Sequence, residues 1–209
     1  MNLLLLSGSP AVPSSSSRLL LYVGDKLALQ GHRYSKLHVR DLPPAALLHA
    51  DTSDPAIVAA LAAVAAADAV VIATPVYKAA YSGILKAFLD LLPQDGLSGK
   101  LVLPLASGGS QSHMLALDYA LRPVLHALNA RQVLSSIYAT AQQLPWSGES
   151  GLVPDPEVAE RVAIGVADLS AALRALQRAP AKANAVASVV PLPSRSLKDH
   201  PYAYNSHAI

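Results

Sequence analysis

Short apolar runs recur along this chain and alternate with stretches of helical period. Asn2–Leu6 and the β-branched run Ala69–Ala73 are apolar almost throughout, as suits strands buried on both faces of a parallel sheet. Lys100–Ala106 and Gln132–Ala139 predict two more strands. Tyr34–Val39, which alternates Tyr, Lys and His with Ser, Leu and Val, predicts one nearer an edge. Pro104 demotes the end of its strand from regular pairing, and a Pro-rich loop is expected at Leu42–Pro44. Helices are expected between these runs. The first spans about Arg18–Leu29 and ends at Gly31, and the next opens at Ser53-Asp54-Pro55 with a stripe of Ile57, Val58, Leu61 and Val64. A third follows Gly83. A fourth carries Met114, Leu117, Leu121, Val124 and Leu128, and a last runs from about Pro156 to Gln177 on Val158, Val162, Val166, Leu169, Leu173 and Leu176. Five strands alternating with five helices predict a doubly wound α/β sheet of order 2-1-3-4-5 with helices on both faces.

Two apolar features exceed what one layer contact needs. Ile84, Leu85, Phe88, Leu89, Leu91 and Leu92 spread over nearly half a helical circumference, which fits a helix buried between its sheet and another subunit. Deep burial within a monomer is the alternative. Tyr119 lies opposite Leu121, beside Pro123, which removes one helical hydrogen bond; that pairing predicts a bulge or an interface. Hydrophobic residues make up 52% of the chain and charged ones 14%, which also points to a homo-oligomer, dimer or tetramer.

The net charge of +2 argues against nucleic acid and permits an anionic small molecule. The absence of cysteine excludes disulfides and thiolate chemistry and fits a reducing cytoplasm. MNLLLLSGSP lacks the basic flank of a signal sequence, and no segment is long and apolar enough for a membrane. From Ala179 the chain is rich in Ala, Pro and Ser without a sustained period. The expected organisation is therefore a domain over 1–178 and a tail over 179–209. His200 and His207 in that tail lack a third ligand at useful spacing, so no metal site is assigned.

The candidate chemistry sits in three loops at strand ends. Ser7-Gly8-Ser9-Pro10 through Ser14-Ser15-Ser16-Ser17 gathers hydroxyl and amide donors at a helix start, where the partial positive charge favours a phosphate. A single serine would suffice as a plain helix cap, so the run favours an anion site, with Arg18 available to add a full charge. The stretch from Asp68 to Gly83 breaks at Thr74-Pro75 and carries Val76, Tyr77 and Lys78, offering an aromatic plane, a cation and free amides. Ser107-Gly108-Gly109-Ser110 adds a loop whose glycines let backbone approach a ligand. A flat, anionic cofactor suits these loops better than a metal or a nucleophile.

At these three loops the sequence resembles the NADPH-dependent FMN reductase family, whose fold is flavodoxin-like. Thr74–Gly83 (TPVYKAAYSG), Leu103–Gly109, Ala116–Val124 and Leu89–Pro93 resemble the branch that supplies reduced flavin to alkanesulfonate and methanesulfonate monooxygenases. The resemblance covers residues 1 to about 178. It implies that Ser9, Ser15, Ser16 and Ser17 hold the FMN phosphate, that Pro75, Val76, Tyr77 and Lys78 line the isoalloxazine, and that Ser107, Gly108 and Gly109 approach its pyrimidine end. Tyr119 would mark a π-helix at a tetramer interface. Many relatives carry arginine after Ser-Pro where this chain has Ala11, a loss that weakens flavin retention unless Arg18 substitutes.

The implied reaction is hydride transfer from NADPH (or NADH) to flavin N5, with no residue named as general acid or base and a flavin-dependent monooxygenase as acceptor of the product. Backbone N–H groups of 107–110 would stabilise charge near flavin N1. The chain has no Gly-x-Gly-x-x-Gly fingerprint, so the nicotinamide is expected to stack over the flavin without a Rossmann site of its own. The alternatives are an FMN-retaining reductase of quinones, azo dyes or metal oxyanions, a non-enzymatic flavodoxin-like carrier, and a phosphate site for some other mononucleotide.

Overall fold

Leu3, Leu4, Leu5 and Leu6 are all buried, so β1 (Asn2–Ser7) has no solvent face and lies inside the sheet. The computed structural model describes residues 1–178; the tail and its His200 and His207 lie outside the described residues. After β1 come α1 (Ser15–Leu29), β2 (Arg33–His38), a 3₁₀ turn (Val39–Asp41), α2 (Pro44–Leu48) and α3 (Pro55–Ala66). Next are β3 (Ala69–Tyr77), β4 (Ala80–Tyr81), α4 (Gly83–Leu89) and β5 (Leu101–Gly108). A 3₁₀ turn (Gln111–His113) and a π-helix (Leu117–Leu121) lead to α5 (Arg122–Ala127), β6 (Gln132–Val133) and β7 (Ile137–Thr140). A small hairpin, β8 (Trp146–Ser147) with β9 (Gly151–Leu152), precedes α6 (Pro156–Arg178).

The sheet order is β2-β1-β3-β5, with β6 and then β7 on the far side of β5; β4 pairs back on β3. Counting β6 and β7 as one interrupted strand gives the expected order 2-1-3-4-5, all parallel apart from the β3–β4 hairpin. Strand side chains alternate between two cores. Leu4, Leu6, Val70, Ile72 and Val102 face α3, α4 and α5; Leu3, Leu5, Val71, Leu103 and Leu105 face α1 and α6.

Several sequence expectations change in detail. The Pro-rich loop contains the short helix α2, with Pro44 in its first turn and Ala46 and Leu47 buried. In α3, Val58 is half exposed and the inward stripe is Ile57, Ala60 and Val64. Met114 is likewise half exposed, and Leu125 takes a core place beside Leu117 and Leu121.

The wide apolar span after Gly83 is absorbed by the chain itself. Helix α4 ends at Leu89, and Leu91 and Leu92 turn inward in the following segment beside Leu97. That stretch supplies no reason for a partner subunit. The predicted fifth strand is broken at Leu134–Ser136 for a reason that lies in β5. Leu134 N donates to Val102 O at 2.8 Å, so the groups of Val102 point toward the fifth strand, as do those of Pro104 two residues on. Proline has no N–H to give there, and pairing resumes only at Leu105↔Ile137.

Candidate functional site

The carboxyl ends of β1, β3 and β5 meet where the strand order reverses between β1 and β3, the place at which open α/β sheets bind ligands. The first two of the three loops there are stitched together. Gly8 N donates to Ala73 O at 2.8 Å, and the buried Ser82 hydroxyl donates to Gly8 O. Ser82 N donates to Thr74 Oγ1 at 2.9 Å, and the same hydroxyl of Ser82 accepts from Leu85 N at 3.3 Å as the N-cap of α4. One serine therefore ties the first loop, the end of β3 and a helix start into one unit.

Ser14, in extended geometry, is the N-cap of α1; its hydroxyl accepts from Ser17 N at 3.2 Å and bonds Ser16 Oγ at 3.0 Å. The helix thus begins before Arg18, at Ser15. Ser15 and Ser16 form its first turn, where amides have no intrahelical acceptor. Ser9 is buried, its hydroxyl accepting from Ala11 N at 3.3 Å. Ser17 serves differently: its hydroxyl pairs with that of Ser7 at 2.8 Å and fastens α1 to the end of β1. Arg18 does not reach this loop, because its guanidinium lies over the Trp146 ring, 4.2 Å from the centroid. The cation that does reach it is Arg40, whose Nη1 donates to Ala11 O at 2.7 Å.

The second loop is a hairpin. Strand β3 runs on through Pro75 rather than stopping at Thr74: the groups of Ala73 face β1, so those of Pro75 do too, beyond the last β1 pair at Ser7↔Ala73, and the missing N–H takes no bond from the ladder with β5. The chain then turns over Lys78 and Ala79 and returns with Val76↔Tyr81 and Tyr77↔Ala80 in register. Pro75 and Val76 are half-buried, while Tyr77 and Lys78 are exposed at the tip. Tyr81 is half-buried, and burial pushes its phenol pKa up.

In the third loop Ser107 is buried and Gly109 faces open space. Gly108 packs against Tyr138 so closely that a Cβ there would run into the phenol oxygen. Tyr138 in turn donates to Ser110 O at 2.5 Å, and burial raises its pKa despite that bond. Gln143 Oε1 accepts from Thr140 N at 3.0 Å and from Gln111 Nε2 at 2.9 Å, pinning the far side of the loop.

The structure brings Ser9, Ser15, Ser16, Pro75, Val76, Tyr77, Lys78, Ser107, Gly108 and Gly109 onto three adjacent strand ends. Sequence reasoning named Ser14 only among the donors of the loop and Thr74 only at the break, and missed the fastening roles of both along with Ser82, Arg40, Tyr138 and Gln143. Of these only Ser14 and Ser82 had a local signal, each being a serine directly before a helix. Among the described residues, no group of three His, Asp or Glu side chains is close enough to hold a metal ion, and no helix is long and apolar enough to cross a membrane.

Comparison with known proteins places this crevice in a family. The sequence profile described as NADPH-dependent FMN reductase matches residues 1–144. A protein of Escherichia coli K12 named FMN reductase (NADPH) is 46% identical over 144 residues, 69% of this chain and 75% of the relative. The NADH-dependent FMN reductase SfnF of Pseudomonas putida is 33% identical over 143 residues, 65% of this chain and 75% of its own. Among solved structures, an NADH:FMN oxidoreductase (EMOB) in its apo form superposes with a TM-score of 0.75 at 38% identity, covering 82% of this chain and 89% of the other. With the family profile spanning the three loops and their stitching, this chain belongs to the NADPH-dependent FMN reductase family.

Proposed function

We propose that this chain is an NAD(P)H-dependent FMN reductase that hands reduced FMN to a sulfonate monooxygenase. The observation that carries the reading is the stitched crevice itself, in which Ser82 and Gly8 bind the serine-rich first loop to the end of β3 and the start of α4, with the glycine loop on the neighbouring strand end through Pro75↔Ser107. Its donor set fits a phosphorylated planar ring. Neutral N–H and O–H donors stand at the helix start, Tyr77 offers a half-exposed aromatic edge, and the open space at Gly109 lets backbone approach.

Ser9, Ser15 and Ser16 would hold the phosphate, with Ser17 keeping the helix start in place. Pro75, Val76, Tyr77 and Lys78 would bound the ring, and the amides of Ser107, Gly108 and Gly109 would stabilise charge at its far end. FMN, when bound, supplies the hydride acceptor for a reduced nicotinamide. The residues of the chain bind, orient and leave one ring face open, which is the protein's share of such chemistry.

NADPH is the proposed donor, following the name of the 46%-identical relative. The sulfonate monooxygenase follows the resemblance of Thr74–Gly83, and the cysteine-free composition fits a cytoplasmic enzyme. The test is steady-state NADPH and NADH oxidation with and without added FMN, with flavin release tracked in the same sample. Turnover that requires added FMN and releases it supports the proposal. Flavin retained through many turnovers would indicate a quinone or azo-type reductase, and negligible oxidation with free FMN would indicate an electron carrier.

A further inference from the structure

We infer that Arg40 is the positioning residue that gives this crevice its preference for a phosphorylated flavin over an unphosphorylated one, an inference that rests on the FMN reading above. The loop from Gly8 to Ser17 contains no ionisable side chain. Its own resources toward a dianion are neutral hydroxyls and amides together with the partial charge of the α1 start. The cation nearest in sequence, Arg18, is held on the face of Trp146. Lys78 stands exposed at the tip of the hairpin.

Arg40 reaches the loop from the 3₁₀ turn after β2, across one strand. Its Nη1 donates to Ala11 O at 2.7 Å, and its side chain is only 23% exposed. The one carboxylate in ion-pair range of it among the described residues, Asp41 Oδ1, is 3.6 Å from Nε and 68% exposed, so solvent screens much of its offset. An arginine with a mostly enclosed side chain thus sets its guanidinium against the backbone of a loop otherwise built of neutral donors. It fixes the Ala11 carbonyl and adds a full charge to the field at the helix start. Riboflavin has the same ring and no phosphate, so that field acts on FMN alone.

The experiment is titration of FMN and of riboflavin by fluorescence quenching, at low and at high salt, with the full chain and with Arg40→Gln and Arg40→Lys. Glutamine keeps a hydrogen-bond donor for Ala11 and loses the charge; lysine keeps the charge. The full chain should bind FMN more tightly than riboflavin, with an affinity that falls as salt rises. Arg40→Gln should weaken FMN about tenfold, leave riboflavin within about twofold and flatten the salt dependence, and Arg40→Lys should restore most of the FMN affinity. Equal weakening of both flavins in Arg40→Gln, with a lowered melting temperature, would make Arg40 a loop brace only and overturn the inference. So would FMN affinity unchanged in Arg40→Gln. If the full chain itself binds neither flavin, or both equally, the FMN reading falls, and this inference falls with it.

Discussion

Gly8 is the position where one hydrogen atom in place of a methyl group decides whether the loops can meet. A Cβ there would lie 2.6 Å from Leu85 Cβ, an atom fixed by its helix that cannot swing aside as a side-chain tip could. Both backbone groups of Gly8 are also committed, its N–H to Ala73 O and its C=O to the Ser82 hydroxyl. Gly8→Ala should therefore cost about 1–3 kcal/mol in urea denaturation and abolish FMN binding, because relief requires parting the first loop from α4. Histidine titration is legible at the same scale. Burial holds the imidazole pKa of His32 below its ordinary value, with Arg174 adding to the effect. Burial and then Arg40 do the same for His38, whose Nδ1 is buried without a hydrogen-bond partner among the described residues. A lowered folded pKa means the unfolded chain binds more protons in the window just beneath about pH 6.5, so stability is full above that window and falls as pH drops through it. Asp51, held below the ordinary carboxylate range by its Ser53 hydrogen bonds, leaves the window clear. The melting temperature should decline from pH 7 to pH 5, and a His32→Gln, His38→Met double variant should flatten that decline.

The hairpin shows both what local pattern reveals and what it hides. Thr74-Pro75 followed by Tyr77-Lys78 reads from sequence as a strand breaking into a loop, because proline removes a donor. That donor would have faced past the end of β1 and belongs to no ladder bond with β5, so β3 continues and the turn falls on Lys78 and Ala79, with φ of 50° and 63°. Such left-handed geometry favours Asn-Gly, and neither resident residue announces it. Lys78→Asn with Ala79→Gly should raise stability by about 1 kcal/mol, read as a higher urea midpoint at unchanged slope. The interrupted fifth strand is hidden in a similar way, since its cause, Pro104, lies on the strand beside it. The disturbance around Tyr119 was easier to see. A tyrosine opposite the apolar stripe and a proline four residues on predict a bulge or an interface, and Leu117–Leu121 is a π-helix with Tyr119 78% exposed. Met114 and Leu115, each 50% exposed, stand on the approach to it. We propose that a second copy of the chain covers this surface. Tyr119→Ser should then lower the assembled mass in sedimentation velocity, and a monomeric parent chain would refute the proposal.

At the level of the whole molecule, the sheet order was readable because the central parallel strands β1, β3 and β5 are buried on both faces and appear as apolar runs, while β2 at the edge alternates. The meeting of three loops followed from that order, since a doubly wound sheet brings the ends of its central strands together. The side chains that hold those loops in register could not be read, because Ser82 with Gly8 and Arg40 with Ala11 are contacts across distant parts of the chain that leave no local period. Both cores close within the described residues: α1 and α6 cover one face of the sheet through Leu19, Val23, Val162 and Leu169, and α3, α4 and α5 cover the other through Ile57, Phe88 and Leu125. The last buried contact of α6 comes from Leu173, with Leu176 partly buried beyond it, and Arg178 is exposed. We therefore propose 1–178 as the folding unit. A chain ended after Arg178 loses none of these buried residues, so its urea midpoint and the slope of its transition should equal those of the full chain, because the slope follows the surface exposed on unfolding. A lower midpoint at equal slope would mean that residues 179–209 stabilise the domain, and a smaller slope would mean that they unfold with it.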